Sequence, residues 1–311
     1  MVMSKPVICI GSALVDELFH AAGEIMLATT SNAVIHRTAG GVARNIAHQL
    51  ALLDVPVQLI SVFGKDKDGE WLSAVSQMAG VGLDAAITSG DHTGRYTGIL
   101  HANGSLFAAF LTNPVDHLIT AAYLQSRQDL LFTASFLLAD ANLNADTIEW
   151  LLAFSRVTDI PLIIETVSVP HAAKLALLDL NGLYMITPNE DELRVLCPRG
   201  LSSVDAQTQA LKDKGVEHTW LHSGANGSII FSREKILSLN APVLDVVDCT
   251  GAGDGSVTGF LLGKYLGKDD LECLKIAHTL AAEILQVNGA IATHLDRQKL
   301  LTQVHQYFPG I

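Results

Sequence analysis

The chain has 311 residues, of which 49% are hydrophobic and 17% charged, a composition too apolar for a disordered protein and too even for a fibrous one. Its 32 acidic and 20 basic residues give a formal net charge of -12, and no local basic patch interrupts that field, which excludes nucleic acid and anionic membrane surfaces as partners. Mean hydropathy is +0.32, yet charged or polar residues break every apolar run well short of the ~18 residues a spanning helix needs.

Roughly 150 residues per domain would allow about two domains, although α/β architectures often run longer as one unit. No repeat, low-complexity tract or Pro/Ser-rich linker marks a boundary, so one domain over 1–311 is expected. Cys9, Cys197, Cys249 and Cys273 form no CxxC pair, and free thiols in a reducing cytoplasm are expected. The stretch from Val7 runs into Asp16 without a small-residue cleavage site and reads as a first strand rather than a signal peptide.

In chain order, Val7–Ile10 is a short apolar strand, Gly41–Leu53 a helix and Val57–Val62 a second strand. The rhythm returns with Leu137–Ala139, a helix over Thr147–Phe154, strands Leu162–Ile164 and Leu183–Ile186, and a helix over Glu190–Leu196. Buried apolar strands alternating with helices imply a mostly parallel sheet. Thr97–Phe110 breaks the rhythm: Asn103-Gly104 between apolar arms predicts a hairpin with a tight type I′ turn. With Phe19–Arg37 it is expected to form a small separate sheet that acts as a lid. Val243–Val247 reads as a further strand before a helix over Val257–Leu266.

The strongest chemical signal is Asp248-Cys-Thr-Gly-Ala-Gly-Asp254. Small residues where a helix begins let several amides point at one spot, and the helix end adds positive field, so an anion is favoured. Asp254 would repel a resting phosphate unless its carboxylate takes a proton from an attacking hydroxyl; a plain helix cap accounts for it equally well. Gly40-Gly41-Val-Ala-Arg44-Asn45 also opens a helix, where paired glycines allow close backbone approach and Asn45 offers donor and acceptor to a polyhydroxyl ligand. A tight turn with a solvated Asn45 is the alternative. Asp16 lies just past the first strand, where open α/β sheets bind ligands, but a lone acid there also serves as a turn residue. Asn189 and Glu192 share one helix face after a strand, a spacing suited to hydrated Mg2+ and equally to an ordinary acidic first turn. His218 and His222 fall on a strand, about 13 Å apart, and would not chelate one ion. No GxGxxG, GxSxG or GxxxxGK[ST] occurs, which weakens dinucleotide, hydrolase and P-loop readings.

Together, the segment at 40–45 and the Thr250-Gly-Ala-Gly-Asp254 segment resemble the two signatures of the ribokinase-like (PfkB) carbohydrate kinases, in the same order and separation. Gly64-Lys-Asp66-Lys-Asp-Gly69, Gly80-Val81, Pro188-Asn189-x-x-Glu192 and Ser223-Gly224-Ala-Asn-Gly227 extend the resemblance over nearly the whole chain. Within the family it is most similar to the pseudouridine kinases, through Gly11-Ser12-Ala13, Gly40-Gly41-Val-x-Arg44-Asn45-Ile-Ala47 and Ala139-Asp140-x-Asn142.

The resemblance implies a three-layer α/β/α sandwich with a small β-sheet lid from segments near 12–38 and 91–113, through which members often dimerise. It implies Asp254 as the base that activates the substrate hydroxyl and the backbone of Gly251, Ala252 and Gly253 as the anion hole. Asp16, Gly40, Gly41, Asn45 and Asn142 become substrate contacts. Asn189, Ser223, Gly224 and Gly227 become ATP contacts, and Glu192 holds Mg2+ through water. Asp248 and Thr250 resemble the start of a potassium site in some relatives, although a structural role in the loop explains them equally.

The sequence departs from the family pattern at Cys249, read as a buried inert thiol, at Gly255, Ser256 and Thr258, which imply altered packing of the following helix, and at Glu165, where relatives often carry Asp. The expected activity is transfer of the γ-phosphoryl group of ATP to the 5′-hydroxyl of a ribosyl nucleoside, pseudouridine first. Ribose or another nucleoside is the near alternative, a nucleoside-binding sensor without transfer is the rival of another class, and a nicotinamide dehydrogenase is a distant third.

Overall fold

The computed structural model describes residues 5–90 and 92–309; Asp91, at the start of the second expected lid segment, lies outside the described residues, as do the first four and the last two. In chain order the strands are β1 (Val7–Ile10), β2 (Leu14–Ala21), β3 (Ala33–Gly40), β4 (Val57–Ile60), β5 (Val62–Gly64), β6 (Ile87–Ser89) and β7 (Arg95–Leu100). They continue with β8 (Leu106–Thr112), β9 (Phe136–Asp140), β10 (Leu162–Glu165), β11 (Met185–Ile186), β12 (His218–His222), β13 (Ser228–Ser232) and β14 (Ile236–Leu239).

The main sheet runs β14-β13-β12-β11-β10-β9-β1-β4 and is parallel from β12 to β4, with β13 antiparallel to both of its neighbours. A parallel sheet must be covered on both faces, so its strands are apolar throughout. In β1 all four residues are buried, Val7 and Cys9 joining one core and Ile8 and Ile10 the other. Helices Val42–Leu52, Ala252–Tyr265 and Asp270–Leu285 cover the first face; helix Ala145–Thr158 covers the second. This is the three-layer α/β/α arrangement, with a smaller sheet of order β3-β2-β7-β8 built from the two expected segments.

Gly255, Gly259 and Gly263 stand one turn apart on helix Ala252–Tyr265, and a Cβ on Gly259 would lie 2.6 Å from Ala277 Cα in helix Asp270–Leu285. The unusual small residues after Asp254 therefore let two helices pack backbone to backbone.

Three local expectations are corrected. Val57–Val62 is not one strand, because β4 ends at Ile60 and β5 pairs with β6 in a separate sheet. The hairpin turn is not type I′: Gly104 N–H donates to His101 O (2.8 Å) and His101 N–H to Ser105 O (2.8 Å), so only Gly104 takes positive φ (84°) and a bulge follows at Ile99/Leu100. Val243–Val247 forms no strand: Pro242 precedes it, Val243, Val246 and Val247 are exposed, and its backbone ties to the body where Val247 N–H donates to Leu285 O (2.8 Å).

Candidate active site

The carboxyl ends of β1, β9, β10 and β11 open on one edge of the sheet, where an α/β fold places its ligand. At the end of β9 the fully buried Asp140 collects five hydrogen bonds. Its Oδ2 accepts from Ser12 N (2.8 Å), Ser12 Oγ (2.7 Å) and Ala43 N (3.1 Å), and its Oδ1 accepts from Asn142 N and Nδ2 (both 3.1 Å). Asn142 Nδ2 also donates to Ser12 Oγ (3.2 Å), which fixes the amide and leaves the buried Oδ1 with no partner among the described residues.

Gly41 takes φ 94° at the start of helix Val42–Leu52, and a Cβ there would press on the Ser12 and Ala13 backbone. A Cβ on Gly40 would overlap the Asp16 carboxylate. The pair of glycines thus gives Asp16 its place above the helix end. Arg44 is buried: its Nε donates to Gly40 O (2.7 Å), its Nη2 to Ala39 O (2.7 Å) and to Asn45 Oδ1, and its Nη1 meets His48 Nδ1 at 3.3 Å. With its oxygen held by Arg44, Asn45 turns Nδ2 toward Asp254 and donates to Oδ2 at 2.8 Å.

Asp254 stands in the first turn of helix Ala252–Tyr265, which starts at Gly251 (φ 80°) with no side-chain cap. Among the described residues no hydrogen bond reaches the amides of Ala252, Gly253 or Asp254. Four such unpaired amides at most open any helix, and they carry its positive field. Burial pushes the Asp254 carboxyl up to about 7, the Asn45 hydrogen bond and the Arg44 charge holding it down while Asp140 and Asp16 raise it. Asp16, half-buried, is likewise raised by burial to about 6 against the pull of Arg44. Burial lowers Arg44 to about 10, and the same two carboxylates oppose that shift.

The remaining residues named from sequence divide into two groups. Asn189 and Glu192 form a capping box: Asn189 Oδ1 accepts from Glu192 N and Glu192 Oε2 from Asn189 N (both 3.0 Å). Glu192 is buried, and Thr166 Oγ1 donates to the same oxygen at 2.7 Å. A bridge pairs Asn189 with His222, and the turn after His222, where Ser223 N–H donates to Gly227 O (2.9 Å), includes the open-faced Gly224. Asn189 and the 223–227 turn are therefore neighbours. Asp248 closes the loop ahead of Gly251, accepting from Thr250 N and Gly289 N (both 2.9 Å). Cys249 is exposed, not buried, because Pro242 to Thr250 runs as loop over the surface. His218 packs on Tyr184 and His222 on Trp220, ring centroids 4.6 and 4.5 Å apart.

Sequence reasoning named two further carboxylates, Asp140 and Glu165, without assigning either a place in the site. Asp140 was legible as an acid that ends an apolar strand. Glu165, at the end of β10, is driven well above the usual carboxylate range by burial and by the nearby Asp254 and Glu192, although Val167 N–H donates to it at 2.7 Å. No signal short of the fold places it beside the other two.

Two rows of small residues, a base-like carboxylate and open helix amides at the carboxyl edge of an α/β/α body define a ribokinase-like kinase. Residues 4–297 match the family model described as pfkB family carbohydrate kinase, and the chain belongs to that family, whose members are ATP-dependent sugar and nucleoside kinases. Over 264 residues it is 33% identical to a sugar kinase of Escherichia coli called YeiI, covering 83% of this chain and 71% of that one. Pseudouridine kinase of the same organism is 29% identical over 258 residues, 81% and 82% of the two chains. The structure of Arabidopsis thaliana ribokinase complexed with ribose and ATP superposes with a TM-score of 0.87 at 23% identity, covering 97% of this chain and 99% of that one. No described helix is long and apolar enough to cross a membrane.

Proposed function

We propose that the chain phosphorylates the 5′-hydroxyl of a ribosyl nucleoside, pseudouridine first, with ATP as donor. The observation that carries this reading is one juxtaposition: Asp254, raised to about 7 and oriented by Asn45 at 2.8 Å, stands beside helix amides that no hydrogen bond reaches among the described residues. The likeness to pseudouridine kinase supports the choice of nucleoside.

Asp16, Asn45 and the unpartnered Asn142 Oδ1 would hold the sugar hydroxyls. Asp254 takes the proton as the 5′-oxygen forms its bond to the γ-phosphorus; the bond from that phosphorus to the bridging oxygen breaks, and ADP leaves with the electron pair. The amides of Gly251 to Asp254 would stabilise the developing charge, each such donor being worth roughly 100-fold to 1,000-fold in rate. Asn189, Ser223, Gly224 and Gly227 would meet the nucleotide. Mg2+, when bound, would neutralise phosphate charge; Glu192, with Glu165 beside it, would hold its waters. Burial first, and then the charges of Asp254 and Glu192, raise Glu165, and a cation would offset those like charges.

An acceptor that already carries phosphate finds no free guanidinium at Arg44. Arg44 is committed to Gly40, Ala39 and Asn45. Closure of the small sheet would exclude water, the competing acceptor. Ile35 and Phe110, on the outer side of that sheet, are exposed, and pairing of two such sheets in a homodimer would cover them. The test is ADP release from Mg-ATP against pseudouridine, uridine, adenosine, ribose, fructose and fructose 6-phosphate, in the parent chain and in Asp254→Asn. Asp254-dependent turnover with a nucleoside supports the reading; nucleoside binding with no turnover on any acceptor overturns it in favour of a sensor.

A further inference from the structure

The inner side of the small sheet carries chemistry that phosphoryl transfer does not use. Gly40 faces the Asp16 carboxylate, so Asp16 marks the side turned to the site. Residues directly opposite in a sheet share a face. Tyr96 stands opposite Asp16, and Leu18 stands opposite His36 on one flank and Gly98 on the other. A Cβ on Gly98 would lie 2.7 Å from Leu18 Cδ2 and 3.3 Å from Tyr96 Cε1, which puts both side chains over a strip of bare backbone. His20 follows on the same side, its ring edge-on to that of His36 with centroids 5.1 Å apart. Neither imidazole has a hydrogen-bond partner among the described residues.

The opposite side of the sheet is where its cations go. Arg37 meets Glu17 at 3.2 Å and Asp68 at 2.6 Å, and Arg95 meets Glu17 at 2.9 Å. The inner side therefore presents an aromatic ring, a leucine, a bare backbone strip and two imidazoles, with no arginine or lysine. At about 3.4 Å per residue, the level of Leu18 and His36 lies about 7 Å along the strand from Asp16, and His20 about 14 Å. That is where a group attached to a sugar held at Asp16 would extend. Apolar and aromatic surface suits the flat face of a heterocycle, and an imidazole offers both a donor and an acceptor to its edge.

We infer that Tyr96, His36 and His20 read the nucleobase of a ribosyl acceptor and select it over the free sugar. The inference rests on the sugar pocket proposed above. Pseudouridine, whose base is joined through carbon, carries one more ring N–H than uridine. A site with an imidazole acceptor at the base edge distinguishes the two, because the partner lacking a hydrogen bond leaves a polar group unpaired.

The experiment compares pseudouridine, uridine and ribose in the parent chain, Tyr96→Leu, His36→Leu and the double variant His20→Ala/His36→Ala, by kcat/KM and by calorimetric Kd. Loss of a stacking or edge contact is expected to lower the ratio of nucleoside to ribose preference about tenfold or more, and His36→Leu to bring pseudouridine and uridine together. His36→Gln, a polar replacement at an exposed position, is expected to keep most of the preference. Equal losses on nucleoside and ribose, or unchanged ratios, overturn the inference. Absence of turnover with every acceptor would sink the kinase reading instead, while the binding ratios still decide the role of the small sheet.

Discussion

Helices Glu190–Leu196 and Ala252–Tyr265 both carry an acid at the third residue of the first turn, Glu192 and Asp254, yet the two ends are built for opposite purposes. Asn189 leads the first helix, its side chain takes the Glu192 amide, and Glu192 turns back to take the Asn189 amide. Gly251 leads the second, offers no side chain, and leaves its amides open, while Asp254 turns away to Asn45, 209 positions distant in sequence. The residue before the helix decides the outcome. A side-chain acceptor there consumes the end of the helix; a glycine leaves it for a ligand.

The largest expected effect comes from Asp254→Asn: turnover falls roughly 100-fold to 10,000-fold, as for loss of a general base, with the calorimetric Kd of the acceptor changed only a few-fold. Near-normal turnover would make the two helix ends alike. Gly251→Asn gives the second helix the lead residue of the first. Gly251 has φ 80°, and a Cβ there would lie 2.5 Å from Ala290 Cα. The amides are expected to be filled or displaced, with a loss of about 100-fold in kcat.

The pH dependence separates the two acids next. With Asp254 raised to about 7, kcat/KM is expected to fall about tenfold per pH unit below neutrality, because the protonated carboxyl cannot accept the substrate proton. Asp16, raised to about 6, steepens the fall below that value. Glu192→Gln is expected to leave this limb in place. The same shift has a stability sign. The folded state holds the Asp254 proton more tightly than the unfolded chain, whose ordinary value is 3.8. Ionisation therefore costs stability as pH rises from about 4 through 7. A thermal melt at pH 8 should show Asp254→Asn more stable than the parent, the two converging near pH 4.

The smallest effect is on the capped helix. Glu192→Ala removes half of the capping box and should cost about 1 kcal/mol in chemical denaturation, whereas Glu192→Gln retains the box.

Much of this site was legible in the sequence because its elements are local. Gly40-Gly41 and Gly251-Ala-Gly253 announce helix starts with room above them, and the apolar strands place those starts at one edge of the sheet. Convergence was not legible. The contact between Asn45 and Asp254, the collection of Ser12 and Ala43 by Asp140, and the crowding of Glu165 against Asp254 and Glu192 all join segments far apart in the chain. Arg44 could be read as a cation but not as one turned inward onto its own turn. Val243–Val247 misled because its β-branched run matches a strand, while in the structure the segment follows Pro242 as exposed loop and pairs with no described strand.

The central claim is that Asp254 deprotonates a hydroxyl that then receives phosphate. The most direct measurement is mass spectrometry and phosphorus–proton NMR of the product formed from Mg-ATP and pseudouridine. The account predicts one added phosphoryl group, coupled to the 5′-methylene protons and absent with Asp254→Asn. Phosphate on any other oxygen, or equal product from both chains, would contradict it.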